Sequence, residues 1–345
     1  MLKENLNIVI YGTGAIGATI GGWLTKDYKN IYFLARGENF KVLKTSGLTL
    51  YKIDKKNFEA IPVNVIEDLK ELESVDIIII CVKNYDLENV AKDIYEKVGD
   101  NVVIVGLQNG VKNQKILPKF FSKVIYGVIV MSSWRDKPGV FGTRGKNQII
   151  LGTLNENNQE ILEDITTIFN KSFPTILTHD FQDAIHCKLI INLGNSMFTL
   201  IDQKIQDDES ILKLWKILMN LYLEGVNIVK AAGYKEYKLK GLPTWEFMKL
   251  ALKSNKKTLI NNFKASIKFY WLNSMTQDIL LGQKSISELE SINGYLINLA
   301  DRHGLSVPYN RTIYKLCKVN FSKTPYKPLN VDTVCNEIKN NLKLS

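Results

Sequence analysis

A glycine motif between a strand-like run and a helix-like run constrains the fold of this chain most. Residues 12–17 read GTGAIG, directly after the apolar run Ile8–Tyr11 and directly before a segment with helical periodicity. In this position Gly12 permits a tight turn, Gly14 lets the backbone approach a pyrophosphate, and Gly17 lets helix and strand pack closely. The motif predicts a dinucleotide-binding βα unit, with a purely structural glycine turn as the alternative. The predicted cradle comprises Gly12, Thr13, Gly14, Ala15, Ile16 and Gly17.

The first half of the chain alternates short apolar segments with helix-compatible ones. Near-continuous Val and Ile runs are typical of parallel strands buried on both faces, and the intervening helices predict βαβ units. We therefore expect an α/β fold, with a Rossmann-type doubly wound sheet in an NADP-binding domain over residues 1–178. Closely spaced glycines further predict a hairpin over Pro138–Gly152, appended to the sheet edge. The predicted strands are Asn7–Tyr11, Ile31–Ala35, Asp76–Cys81, Val102–Leu107, Val124–Met131 and Gln148–Gly152.

Strand-like runs end near residue 180, and long segments with helical periodicity follow. Pro308 suits a first helical turn, while Gly233 and Gly304 stand where helices are expected to end. At about 150 residues per domain, the chain has room for two domains. We expect an all-helical C-terminal domain over residues 179–345 that carries the substrate and catalytic groups. The predicted helices there are Phe181–Ile201, Ser210–Ala232, Thr244–Tyr270, Ser285–His303, Pro308–Phe321 and Val331–Leu342.

The composition restricts where the protein works and what it binds. The longest uninterrupted apolar run is Ile77–Val82, far shorter than the about 18 residues that a membrane span requires. We expect a soluble, cytoplasmic protein with no membrane partner. The formal charge of +10 favours anions, but only five of the 45 cations are arginine and the lysines are dispersed. We therefore expect a small anionic substrate and no nucleic-acid partner.

Cysteine and histidine spacing indicates neither a disulfide framework nor a metal site. The four cysteines are scattered without a CxxC pair. The three histidines form no HExxH or HxxxH pair. We expect no metal ion.

The end of the second predicted strand bears on the choice of cofactor. An NAD-binding unit carries an Asp or Glu about 20 residues after the glycine motif, where the carboxylate binds the ribose. Here the strand ends Leu34-Ala35-Arg36-Gly37 instead. The Arg36 guanidinium suits a 2′-phosphate, which favours NADP(H) over NAD(H). The alternative is an exposed arginine at a strand end.

Two further strands end in polar residues at the sheet edge where α/β folds bind ligands. Lys83 follows the strand Asp76–Cys81, and Asn109 follows the strand Val102–Leu107. Both are candidates for the cofactor or the substrate. Asn-Gly is also an ordinary turn dipeptide, and a solvated lysine is the plain alternative for Lys83.

One lysine of the helical half has unusually apolar neighbours. Lys188 and Asn192 are four residues apart, hence on one helix face, among Leu and Ile. Desolvation would lower the pKa of this lysine and suit it to proton transfer near neutral pH. The alternative is that Lys188 extends its ammonium group to solvent.

Eight motifs occur in an order that resembles the ketopantoate reductase (2-dehydropantoate 2-reductase) family from residue 7 to about residue 320. They are GTGAIG, LARG, CVKNYDL, LQNGV, KLIINLGN, SMTQDIL, SELESINGYL and DRHGLSVPYN. The resemblance implies an NADPH-binding Rossmann domain, a helical C-terminal domain, and reduction of ketopantoate to pantoate on the route to pantothenate and coenzyme A.

The resemblance also implies roles for individual residues. Lys188 corresponds to the general acid of the family and Glu288 to its acidic residue near the active site. Lys83 corresponds to the cofactor-side lysine. The substrate-binding groups correspond to Asn109, Asn192, Ser274 and, at a position where relatives have a second asparagine, Ser196.

The departures from the family pattern fall on the substrate side. Ser196 replaces the expected asparagine, and the stretch between Asp278 and Glu288 is about two residues longer than the resemblance leads us to expect. The reaction type is therefore better defined than the substrate. We keep open a reductase of another small branched 2-oxo acid and a non-catalytic NADP-sensing protein. Members of the family that it resembles are monomers or dimers, so a homodimer is one of the two expected oligomeric states.

Overall fold

A computed structural model describes residues 5–53, 58, 60–253, 255–271, 273–282 and 285–344. The chain forms two compact units, Met1–Phe181 and Gln182–Ser345. The first unit therefore ends three residues after the boundary expected at 178. Within the described residues, no helix combines the length and the apolar character that crossing a membrane requires.

The first unit alternates strands and helices. The six strands expected from the sequence are confirmed as β1, β2, β6, β7, β8 and β11 below. The strands are β1 (Ile8–Tyr11), β2 (Ile31–Leu34), β3 (Leu48–Lys52), β4 (Ala60–Ile61), β5 (Asn64–Ile66), β6 (Ile77–Ile80), β7 (Val103–Gly106), β8 (Val124–Ile129), β9 (Ser133–Lys137), β10 (Val140–Thr143), β11 (Ile149–Gly152) and β12 (Thr175–Leu177). The helices are α1 (Ala15–Leu24), α2 (Gly37–Ser46), α3 (Leu87–Val98), α4 (Asn113–Ile116) and α5 (Gln159–Ser172).

The main sheet has eight strands in the order β12-β11-β8-β7-β6-β1-β2-β5. From β5 to β8 all neighbours are parallel, whereas β11 is antiparallel to β8. The order reverses at β1 and β6, which pair with Tyr11 opposite Ile80. Ligands of such sheets bind beyond the carboxyl ends of the strands at this switch point. The expected α/β fold class is confirmed, and the glycine motif lies at that edge.

The apolar strands predicted a sheet covered on both faces, and burial agrees with this prediction. Every residue of β1 and of β6 is buried. Helix α1 packs against β1 and β2 of the main sheet and also against the second sheet. All residues from Gly17 to Leu24 are therefore buried, not only one face of the helix.

The prediction of a hairpin over Pro138–Gly152 at the edge of the main sheet is wrong. The turn lies at Pro138 and Gly139, between β9 and β10, and these strands belong to a second sheet of order β4-β3-β10-β9. Gly139 has φ +73°, a conformation that favours glycine. Gly142 pairs with Trp134, and a Cβ there would lie 2.2 Å from the indole ring. β11 joins the main sheet separately.

The second unit is helical, as expected. Helix α12 has the predicted bounds, whereas the predicted helix Thr244–Tyr270 is two helices and the predicted Ser285–His303 begins later. The helices are α6 (Phe181–Leu200), α7 (Asp208–Ala231), α8 (Trp245–Ala251), α9 (Lys256–Tyr270), α10 (Ser274–Thr276), α11 (Tyr295–Arg302), α12 (Pro308–Phe321) and α13 (Val331–Leu344). Two π-helical turns, Gln277–Leu281 and Glu290–Gly294, continue α10 and precede α11.

Candidate functional site

Each glycine of the motif has its own physical requirement. Gly12 has φ +101°, and a Cβ there would lie 2.8 Å from Val82 Cγ1. A Cβ at Gly17 would lie 2.1 Å from the Gly12 carbonyl oxygen, so the close packing at this position requires glycine. At Gly14 a Cβ would meet no heavy atom of the described residues within 4 Å. The backbone therefore presents an open face at Gly14, which fits the approach of a pyrophosphate.

Helix α1 begins directly at this open face. Gly14 is its N-cap residue, in extended conformation, and no side chain of the described residues caps the helix. The first N–H groups of a helix have no partner within it and carry partial positive charge. Ala15 and Ile16 are partly exposed there. The cradle predicted over residues 12–17 thus has the donors that a phosphate group needs.

Arg36 lies at the end of β2 and is exposed. Its Nη2 donates to the Tyr11 hydroxyl at 3.3 Å. That hydroxyl donates to Asp93 Oδ2 at 2.8 Å, and Asp93 forms an ion pair with Lys97 at 2.8 Å. Burial and the Asp93 carboxylate raise the pKa of Tyr11, so the phenol stays protonated. Tyr11 was not predicted from the sequence, because a buried strand residue gives no signal of a polar role.

Polar side chains connect the loops that follow β6 and β7. Asn84 Nδ2 donates to the Asn109 carbonyl oxygen at 2.6 Å. The buried Gln108 donates from Nε2 to the Ile80 carbonyl oxygen at 2.7 Å. Lys83 and Asn109 are both partly exposed. The structure thus brings these two predicted residues to adjacent loops at the switch-point edge, through two amides that the sequence analysis did not single out.

In the helical unit, Lys188 lies in the first half of α6. Burial lowers its pKa to about 8 from the ordinary 10.5. The residue as a whole is partly exposed, and the buried part of its side chain accounts for this shift. Asn192 is one turn further along α6 and is buried. The pKa of Lys188 is thus lowered in the direction that its apolar neighbours predict.

Ser196 is the third predicted residue on α6, and it is fully buried. Its hydroxyl donates to the Leu193 carbonyl oxygen at 2.9 Å. The Ser196 hydroxyl oxygen in turn accepts from Asn293 Nδ2 at 3.0 Å. The first bond lies within α6, and the second connects α6 to the π-helical turn before α11.

Ser274 begins α10 and is partly exposed. The residue before it, Asn273, caps this helix by accepting from the N–H groups of Met275 at 2.9 Å and Thr276 at 3.0 Å. The Thr276 hydroxyl lies 2.9 Å from the hydroxyl of Thr199 on α6. Helix α6 therefore also holds the segment that carries Ser274.

Glu288 is buried just before the π-helical turn Glu290–Gly294. Its carbonyl oxygen accepts from Ile292 N at 3.1 Å and from the Ser291 hydroxyl at 3.0 Å. A π-helical turn adds one residue to a helix turn and is common at functional sites. The turn is bonded to α6 through the hydrogen bond from Asn293 to the Ser196 hydroxyl.

His186 is a second polar connection between α6 and α11 that the sequence analysis missed. Its Nδ1 lies 2.7 Å from the Gln182 carbonyl oxygen, and its Nε2 lies 2.8 Å from the Tyr295 hydroxyl. The ring stacks on Tyr234 at 3.7 Å between ring centroids. Burial lowers the pKa of His186 to about 4, so the imidazole is neutral. Its Nδ1 then donates to Gln182, and its Nε2 accepts from Tyr295.

Each unit thus contains a distinct set of functional groups. The first has a phosphate cradle, a guanidinium at the end of the second strand, and polar loops at the switch point. The second has a desolvated amine, an amide, a hydroxyl and a carboxyl on α6 and on segments bonded to α6. Such groups suit binding of an anionic dinucleotide and proton transfer to an oxygen atom.

Both units match known protein families. Residues 8–156 match the family described as ketopantoate reductase PanE/ApbA, and residues 180–320 match ketopantoate reductase PanE/ApbA C terminal. The 2-dehydropantoate 2-reductase of Pyrococcus abyssi is 24% identical over 318 residues, 91% of this chain and 97% of that protein. The protein of the same name from Aquifex aeolicus is 26% identical over 320 residues, 91% and 96% of the two chains.

Solved structures share the fold. A PanE/ApbA family ketopantoate reductase from Ralstonia eutropha JMP134 has a TM-score of 0.74 at 21% identity, over 92% of this chain and 99% of its own. D-mandelate dehydrogenase, solved with NADH and anilino(oxo)acetate, has a TM-score of 0.72 at 16% identity, over 95% and 99%. A dimeric ketopantoate reductase from Staphylococcus aureus has a TM-score of 0.68 at 23% identity, over 92% and 99%.

The two family matches together extend over most of the sequence. They include the glycine cradle in the first unit and the five predicted residues of the second, which are Lys188, Asn192, Ser196, Ser274 and Glu288. One structural neighbour binds a nicotinamide cofactor. The chain therefore belongs to the ketopantoate reductase family, whose members are oxidoreductases that act on CH–OH groups.

Proposed function

We propose that this protein reduces 2-dehydropantoate to pantoate with NADPH, a step of pantothenate and coenzyme A biosynthesis. The observation that carries the proposal is the desolvated amine of Lys188, with its pKa near 8, one helical turn from Asn192. The names of the relatives from Pyrococcus abyssi and Aquifex aeolicus support this substrate.

The cofactor would bind to the first unit. Residues 12–17 would receive the pyrophosphate at the open face of Gly14, and Arg36 would pair with the 2′-phosphate of NADPH. Lys83 and Asn109 would contact the cofactor from the loops after β6 and β7. When bound, the reduced nicotinamide supplies a hydride to the carbonyl carbon of the substrate.

Lys188 would act as the general acid. Its ammonium group would stabilise the negative charge that develops on the carbonyl oxygen, and would then give its proton to that oxygen, leaving a neutral amine. The product is a 2-hydroxy acid. An amine with a pKa of about 8 is mostly protonated at neutral pH and yet releases a proton more readily than an ordinary lysine. The Glu288 carboxylate would hold the ammonium group in place.

The substrate would be held by neutral hydrogen-bond donors. Asn109, Asn192 and Ser274 would donate to the carboxylate and hydroxyl oxygens of a 2-oxo acid. Ser196 stays a predicted substrate contact, although its hydroxyl is already bonded to Leu193 and Asn293. These groups fix orientation, so that the carbonyl oxygen faces the amine.

A second candidate is the reduction of another branched or bulkier 2-oxo acid. Ser196, shorter than the asparagine of relatives, favours it, as does the fold likeness to D-mandelate dehydrogenase. A non-catalytic NADP-binding protein is a third possibility, but such a protein has no need of the desolvated amine.

A steady-state assay of NADPH oxidation separates these candidates. The panel would comprise 2-dehydropantoate, 2-oxoisovalerate, benzoylformate and pyruvate. We expect 2-dehydropantoate to have the highest kcat/KM by orders of magnitude. Preference for another acid would favour the second candidate. Tight NADPH binding with no oxidation by any acid would overturn the reductase assignment.

We also propose that the protein forms a homodimer, as the reductase from Staphylococcus aureus does. Sedimentation equilibrium over a range of concentrations would give the mass in solution. A mass close to 39.3 kDa at all concentrations would show a monomer.

A further inference from the structure

We propose that Asn39 is a positioning residue that orients the Thr13 hydroxyl as a hydrogen-bond donor to the pyrophosphate of the cofactor. The inference rests on the proposed dinucleotide binding at residues 12–17. It adds two side-chain roles to a cradle otherwise built from backbone groups.

Both polar atoms of the Asn39 side chain form hydrogen bonds within the first unit. Its Nδ2 donates to the Thr13 hydroxyl oxygen at 2.7 Å and to the Thr13 carbonyl oxygen at 3.0 Å. Its Oδ1 accepts from Gly139 N at 3.0 Å, in the turn between β9 and β10. One amide from the first turn of α2 thus connects the glycine motif to the second sheet.

These bonds determine which way the Thr13 hydroxyl donates. A hydroxyl group has one hydrogen and two acceptor lone pairs. Because Asn39 Nδ2 can only donate, the Thr13 oxygen accepts, and its own hydrogen remains available. Among the residues that the structure describes, no acceptor is bonded to that hydrogen. The Asn39 bond also polarises the hydroxyl and makes it a better donor.

The position of Thr13 indicates the acceptor. Thr13 is largely buried and stands between Gly12 and Gly14, directly beside the open face of the cradle. The group expected at that face is a pyrophosphate, whose oxygens are strong acceptors. NADPH and NADH share the pyrophosphate, whereas only NADPH has the 2′-phosphate that Arg36 would bind. Thr13 should therefore affect both cofactors equally.

The test measures binding of NADPH and NADH, by fluorescence titration without substrate, to Thr13→Val, Thr13→Ser, Asn39→Ala and the double variant Asn39→Ala/Thr13→Val. We expect Thr13→Val to weaken both cofactors about tenfold, the effect of losing one hydrogen bond to a charged group. Thr13→Ser keeps the hydroxyl and should bind nearly as the wild type does. Thr45→Val, which removes an exposed hydroxyl of α2, is the matched control.

The double variant tests whether Asn39 acts through Thr13. If it does, the two losses are not additive, and the double variant binds about as weakly as the weaker single variant. Additive losses would overturn the positioning role, and equal binding by Thr13→Val and Thr13→Ser would overturn the donor role. That second comparison holds even if Asn39→Ala does not fold. Failure of the wild type to bind either cofactor would contradict the proposed function itself.

Discussion

The Arg36 guanidinium and the Tyr11 hydroxyl are joined by a hydrogen bond of 3.3 Å between Nη2 and Oη. Tyr11 ends β1, and Arg36 follows β2, which pairs with β1 in parallel. Because the hydroxyl donates to Asp93, its lone pair is directed at the guanidinium. The cation expected to bind a 2′-phosphate is therefore held by the strand that precedes the glycine motif.

Arg36→Ala should weaken NADPH binding far more than NADH binding. A charge-assisted bond is worth about 2 kcal/mol, so we expect at least a tenfold loss for NADPH. Tyr11→Phe leaves the guanidinium in place but removes its partner, and should give a smaller loss with the same selectivity. Titration of each variant with both cofactors checks this. Equal losses for NADPH and NADH would show that Arg36 does not bind the 2′-phosphate.

Gly14→Ala and Gly17→Ala should have opposite effects on binding and folding. A Cβ at Gly14 meets open space, so we expect Gly14→Ala to leave Tm unchanged. The added methyl group should obstruct the pyrophosphate and so reduce the affinity for the cofactor. A Cβ at Gly17 would strike the Gly12 carbonyl, and overpacking of this kind costs about 1–3 kcal/mol of stability. Thermal unfolding and cofactor titration of both variants give the comparison. Normal NADPH affinity in Gly14→Ala would exclude the open face as the phosphate site.

Lys188→Met should abolish turnover and stabilise the fold. Methionine is only one atom shorter than lysine and has no proton to give. The lowered pKa means that the folded protein disfavours the charged amine, so we expect a gain of about 2 kcal/mol in the free energy of unfolding, discounted for the partial exposure of Lys188. Denaturant unfolding and the NADPH oxidation assay measure the two effects. Retained turnover would refute the role of Lys188, and NADPH affinity should stay near the wild-type value.

The rate of reduction should fall as pH rises above about 8. The protonated amine is the active form, and its pKa is about 8, so each further pH unit should lower kcat/KM about tenfold. In Lys188→Arg the guanidinium stays protonated, and the residual activity should lose this dependence. A decline that persists near pH 8 in Lys188→Arg would assign it to another group.

His186 should make the fold less stable in mild acid. Its pKa is about 4 in the folded protein and about 6.5 when unfolded. Between these values the unfolded chain binds more protons, so the free energy of unfolding falls as pH drops from 6.5 to 4. His186→Gln should reduce this dependence, whereas His303→Gln, at an exposed position, should not. Identical slopes for the wild type and His186→Gln would contradict the prediction.

Long apolar runs made most of the sheet predictable from the sequence. The four consecutive isoleucines of β6 indicate a buried strand or a buried helix segment. The run is short and stands between helix-compatible segments, which favours a strand. β4 and β5 have two and three residues, with exposed members, and give no such signal. The hairpin was misplaced because glycine spacing marks turns but does not say which sheet the flanking strands join.

The predictability of the site follows a similar division. Residues of a contiguous motif, such as Gly12 and Gly17, were predictable because their backbone requirements are local. Asn39, Tyr11 and His186 were not, since their roles depend on partners that are distant in sequence: Tyr11 bonds Asp93, 82 residues away, and His186 bonds Tyr295, 109 residues away. A single sequence carries no record of such pairings.

The bond between Ser196 and Asn293 spans 97 positions of sequence, and it limits how this protein can be recombined with its relatives. A chimera with a crossover between the two positions would combine Ser196 or Asn293 with a foreign partner. Both side chains are fully buried, so a partner that cannot complete the hydrogen bond would leave a buried polar group unsatisfied. Crossovers before α6 or after α11 keep the pair together and are the ones from which working hybrids should emerge.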